Sequence, residues 1–229
     1  MDASDLDALY ESTNCHTLAL WQEHADTGGP IPAYYAPHKF ALATGFQPPM
    51  SAEIAGLFTA LHTLTHHDPR ADLQPVDGFH FTFLPLTLPL YEADQHLPSH
   101  VEALTHAWAP YDGQSIRINE LRLVALPGQL LLAGIPNPTA VAWRKAFCEA
   151  VLNTPWRDEL LARHENVPLP APFWHTTLLR YQAARMPEYL RVFFLQNRTQ
   201  RYGDVAGKLQ LVRINYNWTA RWPVGATSA

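Results

Sequence analysis

Cysteine is nearly absent: Cys15 and Cys148 are the only two in 229 residues. That leaves no disulfide framework and no thiolates at metal-ligand spacing. Basic residues are scarce in one half. Residues 1–110 carry Lys39 and Arg70 against 13 acidic side chains, whereas residues 111–229 carry 14 basic and 8 acidic. A net charge of −5 argues against gripping long duplexes by phosphate neutralisation. The basic residues of the second half are either a local wall for a few phosphates or ordinary solvated faces. No apolar run approaches the length of a membrane span. Residues 1–20, with Asp2, Asp5, Asp7 and Glu11, lack the basic start and apolar stretch of a secretory leader. A reducing compartment, the cytoplasm, is the expectation. What is present is 47% apolar and 16% charged residues, enough for one large domain or two small lobes sharing a core.

Familiar catalytic signatures are also missing. There is no G-x-S-x-G segment, and neither cysteine sits in a nucleophile motif. Gly203-Asp204-Val205-Ala206-Gly207-Lys208-Leu209 is one residue short of a phosphate loop and lacks its Ser/Thr. His62 and His66, four apart on a predicted helix, have no third ligand at matching spacing, and no metal site is expected.

Two six-residue segments, in contrast, resemble each other. Phe79-His80-Phe81-Thr82-Phe83-Leu84 and Trp174-His175-Thr176-Thr177-Leu178-Leu179 share the frame aromatic, His, any residue, Thr, apolar, Leu. In a strand, side chains two apart point the same way, roughly 7 Å apart, so each segment offers an imidazole beside a hydroxyl. With 12 histidines, about one His-x-Ser/Thr arises by chance. The shared frame and its surroundings set this pair apart.

Those surroundings are themselves repeated. Phe40–Gly45 reads as a strand, Pro48 and Pro49 break it, and Ser51 caps a helix to about residue 66 with Ile54, Leu57, Phe58, Leu61 and Leu64 as its apolar stripe. Leu130–Gly134 reads as a second strand, Pro136-Asn137-Pro138 breaks it, and Trp143, Phe147 and Val151 mark a helix to about residue 152. Each unit leads to one His segment, so the chain reads as a duplicated strand, helix, strand unit. Further helices are expected around Leu97–Trp108, Trp156–His164 and Met186–Phe194. Ser115–Leu126 reads as one or two strands of mixed phase, and Lys208–Thr219 as one long strand. On that strand Val212, Ile214, Tyr216 and Trp218 share a face. Arg213, Asn215 and Asn217 share the other, which either lines a cleft or faces water. Tyr34 and Tyr35 lie in a Gly/Pro-rich loop that is either a flap able to stack on a base or a packed connector. Phe79, Phe81, Trp174 and Thr176 are assigned to the core by strand alternation.

His80-Phe81-Thr82-Phe83 and His175-Thr176-Thr177-Leu178, one in each half of an α+β chain, resemble the paired H-x-T-hydrophobic motifs of the two-histidine (2H) phosphoesterase superfamily. Arg180 extends the likeness, since His175–Arg180 resembles the H-x-T-L-x-R form of the bacterial 2′–5′ RNA ligase-like and cyclic phosphodiesterase branch. Phe83 stands where Leu is usual and Thr176 where an apolar residue is typical. The resemblance covers residues 39–219. Residues 1–38 form an N-terminal extension outside it, and residues 39–229 are taken as one domain with lobes of roughly 39–110 and 111–229, strands being exchangeable between them.

The resemblance implies a bilobal α+β fold, two antiparallel sheets forming a cleft with helices outside. It further implies cofactor-free cleavage of nucleotide or short RNA phosphodiesters, whether 2′,3′-cyclic phosphates, 2′–5′ linkages or cyclic oligonucleotides. His80 and His175 would be the acid/base pair and Thr82 and Thr177 the phosphate donors, with Arg180 adding charge. The polar face of the last strand and the Gly/Pro-rich loop add Arg213 and Tyr35 as substrate-binding candidates, and a monomer is expected. With ordinary pKa values near 6.5, one histidine is neutral and the other protonated near neutral pH. A nucleotide- or RNA-end-binding module that uses the same cleft without turnover is the alternative.

Overall fold

The computed structural model describes residues 3–33 and 35–225, so Tyr34 lies outside the described residues. Two antiparallel sheets organise the α+β chain. The first has the order β3 (Phe81–Pro85), β1 (Ala41–Phe46), β8 (Gln210–Ile214), β9 (Arg221–Pro223). The second runs β2 (Ala71–Leu73), β6 (His175–Tyr181), β5 (Gln129–Pro136), β4 (Ser115–Leu126), β7 (Val205–Lys208). Each sheet borrows from the other half of the chain. β2 pairs with β6, and β8 and β9 complete the sheet begun by β1 and β3.

Local signals place the elements around these sheets. Ser51 caps α2 (Ala52–Thr65) by accepting from the Ile54 N–H at 3.3 Å. Ile54, Leu57, Phe58 and Leu61 bury its inner face, while Leu64, expected on that stripe, is exposed and Thr65 is buried in its place. Pro138 opens α4 (Pro138–Leu152), whose Phe147 and Val151 enter the core. α3 (Val101–Trp108), α5 (Arg157–Arg163) and α6 (Glu188–Asn197) complete the expected helices. β4 is a single strand with a register shift between Asn119 and Arg122, where Glu120 has φ 54°. This bulge is the origin of its mixed phase, because an inserted residue moves the following side chains to the opposite face.

Two expectations are revised. Lys208–Thr219 is not one strand: pairing is interrupted at Leu209, and β8 ends at Ile214 in a turn that returns as β9. The segment left without an element contains α1 (Ala3–Glu23), which is bonded into the second sheet. Tyr10 Oη donates to the Gly134 carbonyl at 2.9 Å and accepts from the Trp174 N–H at 3.1 Å. Thr17 Oγ1 donates to the Ala125 carbonyl, Asn14 Oδ1 accepts from the Ala125 N–H, and Trp21 Nε1 donates to the Pro127 carbonyl. Among the described residues no helix is long and apolar enough to cross a membrane.

Candidate functional site

A cavity of about 520 Å³ opens between the sheets, and its walls include His80, Thr82, His175, Thr177, Arg180 and Tyr35. The pairing explains the convergence. Thr82 lies opposite Gly45, and on the other side of β1 Ala43 lies opposite Val212 and Ala41 opposite Ile214, so these positions share one face of the first sheet. On β6, His175 and Thr177 present the corresponding face of the second sheet. The intervening residues are buried in the core: Phe81 and Trp174 fully, with Phe79 and Thr176 beside them. Phe83 meets Trp174 edge to face at a centroid distance of 5.9 Å, which joins the two motif segments behind the cavity.

Arg213 is not brought to this site. It pairs with Leu42, on the sheet face opposite Ala41, Ala43 and Ile214. Its guanidinium donates to the Gln95 carbonyl at 2.7 Å and lies near the rings of Phe40 and Tyr91. The alternation of β8 is as expected, but its apolar face, with Ile214, looks into the cavity. After the strand ends, Asn215, Tyr216 and Trp218 all reach the wall from the turn.

His80 is buried, 6% exposed. Its Nδ1 lies 2.7 Å from the Gly78 carbonyl, which can only accept, so Nδ1 carries the proton and Nε2 keeps its lone pair. The Trp218 indole stacks on the imidazole, with centroids 4.5 Å apart and planes within 10°. Burial pushes the His80 imidazole down to about 3, reinforced by the charges of Arg180 and His175 and opposed by the Gly78 bond. His175 is pushed down to about 4 by burial, then by Arg180 and Arg144. Both imidazoles are therefore neutral at pH 7, in place of the expected neutral and protonated pair. Among the described residues the Thr82 and Thr177 hydroxyls have no protein hydrogen bond, which leaves both free to donate into the cavity.

Arg180 lies across from Asp72 in the β2–β6 pairing, its guanidinium 5.9 Å from the Tyr216 ring. Three further polar wall residues were not anticipated. Arg144, on α4, covers the Trp174 ring at 3.7 Å and donates to the Phe173 and Pro172 carbonyls. Arg163 donates to Tyr35 Oη at 2.9 Å, which ties the N-terminal loop to α5 across the cavity wall. His164 Nε2 donates to the Pro85 carbonyl at 3.0 Å. The partners are carbonyls or side chains far away in sequence, so no local spacing marks them. His62 and His66 sit at the end of α2, outside these walls.

The architecture is that of two antiparallel sheets facing each other across a cavity, with a His and a Thr from each. Solved structures similar to this chain include Escherichia coli LigT in complex with 3′-AMP, at 14% identity and a TM-score of 0.46, covering 82% of this chain and 96% of that one. LigT with ATP is similar at 16% identity and a TM-score of 0.44, covering 81% and 95%. A conserved protein of unknown function from Agrobacterium tumefaciens is similar at 10% identity and a TM-score of 0.45, covering 86% and 92%. No protein-family model and no curated protein matches the chain.

Proposed function

We propose that this protein is a two-histidine phosphodiesterase that cleaves nucleotide or RNA phosphodiesters without a metal. The observation that carries the reading is the convergence of His80, Thr82, His175, Thr177 and Arg180 on one cavity from two different sheets. In-line displacement at phosphorus needs a base on the attacking oxygen, an acid on the leaving oxygen and donors for the non-bridging oxygens. The two imidazoles supply the first pair, and the two threonine hydroxyls with Arg180 supply the donors. Burial, with the charge of Arg180 adding to it, keeps both imidazoles neutral until an anion arrives. A bound phosphodiester offsets that charge and favours protonation of one histidine, so substrate itself creates the acid/base pair. The remaining wall is largely apolar, from Leu131, Val167, Pro168 and Phe173, and suits a nucleobase. The two thiols, both unpaired, suit a reducing cytoplasm.

The test is hydrolysis, in EDTA, of 2′,3′-cyclic nucleotides, 2′–5′ oligoadenylate and cyclic dinucleotides by the wild type, His80→Ala and His175→Ala. Turnover by the wild type that survives chelation, with a loss of about 10²-fold or more in each variant, is expected. Equal nucleotide binding by all three proteins with no turnover would instead make the cavity a binding module.

A further inference from the structure

Gln74 contributes nothing to the chemistry proposed above, yet it joins the two sides of the site. It follows β2 and is 2% exposed. Its backbone N–H donates to the carbonyl of Leu178 at 2.8 Å, on the strand that carries His175, Thr177 and Arg180. Its side-chain Nε2 donates twice, to the Gly78 carbonyl at 2.7 Å and to the Asn217 carbonyl at 2.6 Å. The Gly78 carbonyl is the acceptor that holds His80 Nδ1. Asn217 immediately precedes Trp218, whose ring lies flat on His80.

From this we infer that Gln74 is a positioning residue, a pin that sets the spacing and angle between His80 and His175; the inference rests on the two-histidine reading. Its backbone amide reaches the strand of one histidine, and its side-chain amide reaches the carbonyl that orients the other and the turn that presses a ring onto it. Its own cost argues against simple space filling. Gln74 Oε1 is buried without a partner among the described residues, a penalty that an apolar residue of the same shape would avoid. The orientation follows from chemistry, because the flipped amide would set oxygen against two carbonyl oxygens. Nearby backbone is arranged around the same contact. A Cβ on Gly78 would fall 2.0 Å from the Asn217 carbonyl oxygen, so only glycine admits this approach. Trp218 has φ 60°, a conformation a bulky residue holds only where its surroundings impose it.

The test combines nitrogen-15 NMR of the histidine side chains with kinetics on the panel substrate that the wild type turns over. The wild type should show His80 as a single tautomer protonated on Nδ1, with Gln74 side-chain amide protons shielded from exchange. Gln74→Met, of similar length but without donors, should mix the His80 tautomers and lower kcat by about a hundredfold with KM little changed, as misplacement of a reacting group does. Gln74→Asn, one methylene too short to span both carbonyls, should give the same change in smaller measure, and it carries the test if Gln74→Met does not fold. A folded variant that keeps the single Nδ1–H tautomer and wild-type kcat overturns the inference. Should the wild type turn over nothing, the catalytic reading fails on its own, and the tautomer signal still decides whether Gln74 holds His80.

Discussion

Thr176 shows how closely one side chain can be read. It sits between His175 and Thr177 with its side chain in the core, and its Oγ1 is buried without a hydrogen-bond partner among the described residues. An unpaired buried hydroxyl costs on the order of 1–3 kcal/mol, and valine has nearly the same shape without it. Thr176→Val should therefore stabilise the protein by about 1 kcal/mol in urea unfolding and leave turnover intact; a loss of stability would mean that the hydroxyl has a partner. The period-two logic that placed Thr176 inward also set His80 beside Thr82 and His175 beside Thr177, because it depends only on strand geometry. It left the surroundings of Arg213 open for a reason of register. Alternation says which residues share a face but not which face meets the cavity, and that is decided by the pairing of β8 with β1. Gln74, Arg144 and Arg163 were illegible because their partners are mostly backbone and, Gly78 apart, distant in sequence.

Among the elements, α1 was the hardest to foresee. Its inward face carries Leu6, Tyr10 and Trp21 but also Asn14 and Thr17, all buried, so polar residues interrupt the apolar stripe that periodicity would detect. Both polar side chains are bonded to Ala125 of β4, which makes the helix part of the second sheet's support. Tyr10 matters most, since it bonds both the Gly134 carbonyl and the Trp174 N–H next to His175. Tyr10→Phe should cost about 1–3 kcal/mol, read from the denaturation midpoint, because two buried backbone groups lose their partner. An unchanged midpoint would show that α1 rests on the sheet through apolar contacts alone. The elements legible beforehand are those with strong local punctuation, such as α2 after Pro48, Pro49 and Ser51. The long strand expected over Lys208–Thr219 failed because the turn at its end is stabilised by tertiary contacts, the Trp218 ring on His80 and Gln74 on the Asn217 carbonyl.

For the molecule as a whole, the two lowered histidines tie stability to pH. In the unfolded chain each titrates near 6.5, and in the fold burial holds them down to about 3 and about 4. Above about pH 6.5 both states are neutral and the contribution of the pair is complete. As pH falls further, the unfolded chain takes up protons that the fold refuses, and each histidine withdraws up to about 1.4 kcal/mol per pH unit until its folded value is reached. Melting temperatures should thus fall between pH 6.5 and 5, and a His80→Gln, His175→Gln double variant should flatten that fall. His164, also lowered by burial, leaves a residual slope. An identical slope in the double variant would place the acid sensitivity elsewhere.

The exchange of strands between the sheets also has a temporal side. A chain emerging from the ribosome presents β1, α2 and β3 early, but β8, which flanks β1, follows some 125 residues later. Until then the first sheet is a two-stranded pair, too small to be stable alone. His80 is made early and waits for Trp218, whose ring seats it, to follow much later in the chain. Completion of the cavity is in this way tied to the synthesis of β8 and the turn that follows it.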